Sequence, residues 1–494
     1  MTILNNSLSI NAIDFKTLEQ EVYHVVLEFG RSIIKAILEG IDKELMESRD
    51  TEVYRHRGKK KTCIKTLMGP VEFERVIYEC KNEEGKKSFV YLLDEYLKME
   101  TIGFMSTNLV EKMVENASNV SYRKAAQNIT ELTGEDISHA AVWNVVQELG
   151  ERIARQEQEK VKAYHEGKLE GTKEVKVLFE EADGLWINMQ GKGRKGRNGG
   201  KKEIKLAVTY EGWKKRNPGK DDEYVVVNKR AVAGFMDAEE FADLLEASIN
   251  EEYKTDEIKV RVLNGDGAEW IRGCTNTAEK HYQLDRFHIF KAILRNVYDK
   301  KEAKKIARLI KRGDIQKALE RIEELKYECG GECDKVEKLQ KLEKYLRSNI
   351  DGLILYHERD NVELPGPPEG IYYRNLGTME HQICDILSLR MKGRKMSWSV
   401  AGANNMAKIL ALKASGKLYD TIQSLMSPVV SEKLLDKFVE VISEAKNKVE
   451  EIKRKIPKVY PMRRGQIPYT GCAMTEGRKA IRNLVTHRRL EEII

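Results

Sequence analysis

Helical spacing governs the first stretch of the chain. Over residues 14–48, Leu18, Val22, Val25, Val26, Phe29, Ile33 and Ile37 fall on one face, which predicts an amphipathic helix. Alternation replaces that spacing in CIKTLMGPVEFERVIYEC. There Met68-Gly69-Pro70 is a turn signal, so a hairpin is expected, presenting the basic run Arg55, His56, Arg57, Lys59, Lys60 and Lys61. The helical period returns over residues 105–150. SYRKAAQNITELTGEDISHAAVWNVVQELG reads as two helices about a Thr133-Gly134 turn. Ala125, Ala126, Ile129 and Leu132 point inward from the first helix. Ser138 caps the second, whose inner face is Val142, Val145, Val146 and Leu149. If this is a helix-turn-helix, His139, Ala140 and Asn144 are the residues that approach base edges; the plainer reading is a helical hairpin.

After a polar connecting helix at residues 151–170 the pattern changes. VKVLFEEADGLWINM, KKEIKLAVTYEGW and EYVVVNKRAVAGF are three β-rich runs in succession. DAEEFADLLEASINEEY is an amphipathic helix with an acidic start, IKVRVLNGD a fourth strand, and KHYQLDRFHIF holds a fifth. The order βββαβαβ is that of an RNase H-like core, whose mixed sheet is a platform for carboxylates at one edge. From about residue 290 to 362 the chain is charged and helical, and VELPGPPEG then breaks it before another helix. The expected class is α/β (α+β): an RNase H-like core interrupted by an all-helical insertion, with an N-terminal helical DNA-binding region. The expected boundaries are 1–104 for the first helix and basic hairpin and 105–165 for the helix-turn-helix-like domain. The core would occupy 166–294 and 376–425, the insertion 295–375, and a helical, basic C-terminal region 426–494.

Composition narrows the class. A length of 494 residues exceeds one ordinary core, and a charged share of 33% suits surface-rich helices. Net charge is +7 with a pI near 8.7, which permits nucleic-acid binding without requiring it. No apolar run approaches the roughly 18 residues of a membrane span, and the N-terminus lacks a secretory pattern. Seven scattered cysteines read as reduced thiols, so a cytoplasmic protein is expected. Cys329 and Cys333 form one CxxxC without a second pair, and a turn between helices explains them better than zinc does.

Three acidic residues carry the candidate chemistry. Asp183 and Asp266 are read as closing apolar strands, each beside glycine, and Glu380 lies in a helical segment, TMEHQICDILSLRMKGRK. An isolated Asp-Gly is ordinarily only a turn. Two of them after successive strands, with a distant helical Glu, suit two divalent ions clamping a phosphodiester, because hard Mg²⁺ takes oxygen ligands. Asp285 and His288 share a helix face and would brace that site or contact phosphate. Basic residues flank it: Lys192, Arg194 and Lys195 in a Gly-rich loop, and Arg390, Lys392 and Arg394 after the Glu helix. With Arg57, Lys59 and Lys60 they are candidate DNA contacts.

The segments SYRKAAQNIT, ADGLWINMQGK, NGDGAEWI, LDRFHIFKAI and EHQICDILSLRMKGRKMSWS together resemble the DDE transposases of bacterial insertion sequences. The likeness is to the ISLre type, related to the Mutator-like branch. It implies Asp183, Asp266 and Glu380 as a metal-binding catalytic triad, with Asp285 and His288 as a DxxH motif. It also implies two Mg²⁺ or Mn²⁺ ions per site and a homo-oligomer acting on double-stranded DNA, both terminal inverted repeats and target. Glu358, Glu363 and Glu369 lie nearby but lack a following helix. The competing expectations are another RNase H-like nuclease, a non-catalytic regulator derived from a transposase, and a glycoside hydrolase, which sparse aromatics disfavour.

Overall fold

The computed structural model describes residues 14–426, apart from the short segments 82–84, 98–104, 192–193, 195–199, 218–222, 276–278 and 331–332. The chain divides into two units, residues 1–429 and 430–494. The expected charged helix at 430–456 and the basic C-terminal residues fall outside the described part, as do Lys192 and Lys195.

Helix α1 (Phe15–Ser48) starts where the Asp14 carboxylate accepts the Thr17 N–H at 2.8 Å. Ile34, Leu38, Ile41 and Leu45 of its C-terminal half meet Ile64, Val71 and Phe73, and in its N-terminal half Leu27 is buried. The expected stripe is therefore corrected. Leu18, Val22, Val25, Val26 and Phe29 are exposed, because at about 100° per residue they lie about two-fifths of a turn from the face that packs. Strands β1 (Arg55–Thr66), β2 (Gly69–Lys81) and β3 (Lys87–Val90) form a small antiparallel sheet. The hairpin turn sits at Leu67-Met68, and Gly69 takes φ +99° there. The basic run forms the first half of β1, whose register shifts between His56 and Lys59.

After the short helix α2 (Leu92–Leu97), helices α3 (Thr107–Asn119), α4 (Tyr122–Thr133) and α5 (His139–His165) pack together. Helix α4 ends at Gly134 in the left-handed region, φ +68°, and the Ser138 hydroxyl accepts the Ala141 N–H to start α5. The expected inner residues are buried except Leu132, which is exposed. It lies at the margin of the buried stripe, where the Tyr23 hydroxyl of α1 donates to its carbonyl.

The central sheet contains β4 (Val177–Met189), β5 (Lys201–Tyr210), β8 (Arg230–Gly234), β9 (Val260–Gly265) and β10 (Lys280–Leu284), ordered β10-β9-β4-β5-β8. Between β5 and β8 a small hairpin, β6 (Trp213–Lys215) and β7 (Tyr224–Val226), stands apart. Strands β4, β5 and β8 run antiparallel, while β9 and β10 lie parallel to β4. Helix α6 (Ala238–Glu252) follows β8, opening with a capping box between Asp237 and Glu240. The short α7 (Glu269–Arg272) follows β9, and α8 (Arg286–Asn296) follows β10. Three charged helices come next: α9 (Lys300–Lys311), α10 (Ile315–Glu328) and α11 (Cys333–Ser348). The chain then returns through α12 (Met379–Ile383), a π-turn over Cys384–Ser388 and α13 (Leu389–Met391) to β11 (Ser397–Trp398), α14 (Val400–Ala414) and α15 (Leu418–Met426). No helix among the described residues is long and apolar enough to cross a membrane.

One sheet face, carrying Val177, Phe179, Leu185 and Ile187, shares a single apolar cluster with α3–α5 and α12–α15. The other face, with Leu178, Ala182 and Leu263, packs on α6 and the charged helices. Beneath that second face lies a buried ion group. Arg261 of β9 bonds Glu180 of β4 at 2.7 Å and Glu246 of α6 at 2.8 Å, and Lys280 of β10 reaches the same two carboxylates at 3.0 and 2.8 Å. Removing one member leaves a buried charge uncompensated. Lys280→Met is therefore expected to cost about 3–5 kcal/mol, read as a lower urea midpoint.

Candidate metal centre

Strand β4 is where the site begins. Its pairing with β9 ends at Glu181 opposite Asn264, and β11 joins β4 only from Asn188. Asp183 occupies the gap between them. The expectation that Asp183 closes its strand is corrected: it lies inside β4, opposite Leu206 of β5, and the edge that opens beside it is the end of β9. Its carboxylate accepts the Gly184 N–H at 2.7 Å.

Asp266 follows the last residue of β9 and turns with Gly267 at φ +97°. Its Oδ1 accepts the Ala268 N–H at 2.9 Å, and its carbonyl takes the Tyr345 hydroxyl of α11 at 2.9 Å. A side chain at Gly265 would run into Ile271 at 2.6 Å, so both glycines of the Gly-Asp-Gly are sterically required.

His288 completes the cluster. Ligand-competent atoms of Asp183, Asp266 and His288 lie within 4.8 Å of one another. Glu380, on α12, lies outside that cluster, with Oε1 3.9 Å from His288 Nε2 and its side chain nearly half exposed. Asp285 caps α8, accepting the His288 N–H at 3.1 Å, and its Oδ1 lies 3.4 Å from His288 Nδ1. The two motifs read separately in the sequence thus meet at one place.

Electrostatics mark the group as crowded. Burial pushes Asp183 from the ordinary 3.8 up to about 6; the Gly184 N–H opposes this and the neighbouring Asp266 adds to it. Burial alone would lower His288, but hydrogen bonding to Asp285 and the carboxylates of Asp183 and Asp266 outweigh it, and its pKa rises. Burial would raise Asp285, yet His288 and Asn264 hold it below the usual range. The donor set is rich in oxygen and negative, and fits a hard divalent cation; one imidazole suits Mn²⁺ more readily than Mg²⁺.

Two residues join the site without having been anticipated. Glu203 of β5 packs under Gly184 from the alternate face, where even a methyl group at Gly184 would overlap its carboxylate. Burial and then Asp266 raise its pKa. Glu181 is fully buried two residues before Asp183. Strand alternation could have signalled Glu181, since it sets that residue on the face of Asp183; no local pattern signals Glu203, which lies on β5 and on the other face.

The basic candidates separate. Arg390 is buried, so its reading as a DNA contact is corrected: its guanidinium packs 4.9 Å from the Trp398 ring and 5.4 Å from that of Tyr122, and Nε donates to the Ala117 carbonyl at 2.6 Å. Arg57 is held by Glu79, which offsets its charge. Lys59, Lys60, Arg194 and Lys392 are exposed, as are His139, Ala140 and Asn144 at the start of α5. Nothing is described of the Arg394 side chain.

Comparison with known proteins gives a family. A model described as an uncharacterised protein family, UPF0236, matches residues 8–425. One UPF0236 protein of Caldanaerobacter subterraneus subsp. tengcongensis, named for four loci, is 28% identical over 394 residues, spanning 79% of this chain and 75% of its own length. Another from that organism, named for eleven loci, is 28% identical over 415 residues, 82% of this chain and 79% of its own. A UPF0236 protein of Streptococcus gallolyticus, named for the vanSb 3′ region, is 25% identical over 409 residues, 81% and 83%.

The raised Asp183 pKa has a consequence for stability. Its contribution is fully present below 3.8 and is lost as pH rises through about 6, where the folded state must carry the charge. In metal-free protein at pH 7.5, Asp183→Asn is expected to gain up to about 2–3 kcal/mol, seen as a higher Tm. The gain should shrink at pH 5 and also when a divalent cation is added.

Proposed function

The chain belongs to the UPF0236 family, and for it we propose a DNA transposase of the DDE type. It would bind the terminal inverted repeats of an insertion sequence and catalyse metal-dependent strand cleavage and strand transfer. The observation that carries this reading is the convergence of Asp183, Asp266, His288 and Glu380, from four separate segments, on the open edge of β4.

Other features support it. Three antiparallel strands followed by two parallel ones stand in the chain order an RNase H-like core requires, and the charged helices α9–α11 fall between the fifth strand and the Glu helix, where an insertion is expected. A protein named for eleven loci in one organism is what an element that copies itself would leave.

Asp183, Asp266 and Glu380 would hold two ions, Mg²⁺ or Mn²⁺. When bound, these supply an activated water and neutralise charge at the scissile phosphate. The chain's own residues do the rest. Asp285 caps the turn that carries His288 and sits 3.4 Å from its Nδ1, while Nε2 lies 3.9 Å from Glu380. Half-exposed Glu380 borders the open side, where a DNA backbone can enter. The start of α5 presents His139, Ala140 and Asn144 to a groove, and Lys59 and Lys60 of β1 meet phosphates. Several copies acting together on the element ends belong to the same reading.

Cleavage of a supercoiled plasmid carrying the element ends tests it. Wild type is expected to cut only with Mg²⁺ or Mn²⁺, and Asp183→Asn, Asp266→Asn and Glu380→Gln should each lose roughly a hundredfold or more while still binding the ends. Specific end binding without any metal-dependent cutting by wild type would favour a non-catalytic regulator instead. A Lys59→Ala/Lys60→Ala double variant should weaken binding about equally across DNA sequences and flatten the salt dependence by about two phosphate contacts, measured by anisotropy titrations at several salt concentrations.

A further inference from the structure

The residue with the densest hydrogen bonding near the site is one the proposed reaction never uses. The Glu181 carboxylate is fully buried and takes hydrogen bonds from Tyr210 Oη at 2.6 Å, Asn264 Nδ2 at 2.9 Å, Gly377 N at 3.1 Å and Thr378 N at 3.0 Å. The Thr378 hydroxyl adds a further one. These donors come from β5, β9 and the segment entering α12. A carboxylate so enclosed reaches neither substrate nor solvent.

Its partners each stand one step from the site. Thr378 is the residue before α12, two before Glu380. Its hydroxyl does not cap its own helix but goes to Glu181. Asn264 uses the same amide nitrogen to bond Glu181 and the Asp285 Oδ2, both at 2.9 Å, and Asp285 holds His288. Glu380 itself is nearly half exposed, and His288 is its one charge partner among the described residues. Its position is therefore decided by how α12 is seated. Met379 and Ile383 bury against the sheet, but apolar contact is non-directional and permits sliding. The bonds to Glu181 are directional and fix the depth and rotation of the first turn.

We propose that Glu181 is a positioning residue that seats Glu380 for divalent-metal binding. The proposal rests on the reading of Asp183, Asp266 and Glu380 as a metal centre. It assigns Glu181 a role that acts through Glu380, so removing both should cost no more than removing one. A carboxylate that merely satisfied buried donors would instead give losses that add.

Mn²⁺ titration followed by the EPR signal of the free ion, on the full chain without DNA, reads this directly. Glu181→Gln keeps the shape but replaces one acceptor oxygen by a donor among donors. It should weaken Mn²⁺ binding about 10–100-fold, as should Glu380→Gln, and the double variant should be no weaker than Glu380→Gln alone. Gly377→Ala gives a second route that leaves the buried carboxylate intact. Gly377 sits at φ +133°, which alanine resists, while its added carbon would meet nothing closer than Asp285 Oδ2 at 3.9 Å. It should show the same non-additive loss, and it decides the matter if Glu181→Gln does not fold. Additive losses, or Mn²⁺ affinity unchanged in both Glu181→Gln and Gly377→Ala, would overturn the positioning role while leaving the metal centre standing. A wild-type chain that binds no Mn²⁺ would overturn the metal centre itself, and the positioning role with it.

Discussion

Like charges held close together are the constraint on which this structure turns. Asp183, Asp266, Glu380 and Asp285 crowd one edge of β4, and in the absence of a cation their mutual repulsion would drive the segments apart. Much of the surrounding architecture opposes that. The parallel pair β4–β9 brings two of the carboxylates together and then splays to leave room between them. His288 places a basic ring among them, and the ion group of Glu180, Arg261, Glu246 and Lys280 ties the same strands from beneath.

The charged helices contribute as well. Tyr345 near the end of α11 bonds the Asp266 carbonyl, and Asn349 packs against Gly267, so the turn that presents the second carboxylate is braced by a segment remote from it in sequence. After α11 the chain passes through two 3₁₀ turns, Ile350–Gly352 and Tyr356–Glu358, and an irregular stretch before Glu181 receives it at the sheet. Long-range anchors of this kind suit a site whose parts lie far apart along the chain, because local propensity sets each helix but not its depth against the sheet.

Much of the order of strands and helices was legible because alternation and helical spacing are local signals, although EYVVVNKRAVAGF, read as one strand, divides into β7 and β8 in separate sheets. The candidate residues were legible as types: acids beside glycine after apolar runs. What was not legible depended on partners far along the chain. Asp-Gly at 183–184 reads as a turn, yet the strand continues because the glycine makes room for Glu203. Arg390 sits in a basic run that looks solvated, but Tyr122 and Trp398 enclose it. Glu181 looks like surface acidity in EEADG, and its donors at Gly377 and Thr378 are 196 and 197 residues away. The stripe on α1 had the right period and the wrong face, since period alone does not say which side of a long helix meets the fold.

The shared apolar cluster also bears on how the molecule can be dissected. Helices α3–α5 look like a separable module, but their inner residues belong to the same cluster as the sheet and α14, and Gly150 of α5 touches the backbone of Asn405 so closely that no side chain fits between them. Severing the chain after α5 would bare that surface on both fragments. Recognition and chemistry, if they reside in these two regions, are therefore parts of one solid body rather than beads on a string, and a strain imposed on α5 by a bound partner would be felt in the packing behind the sheet.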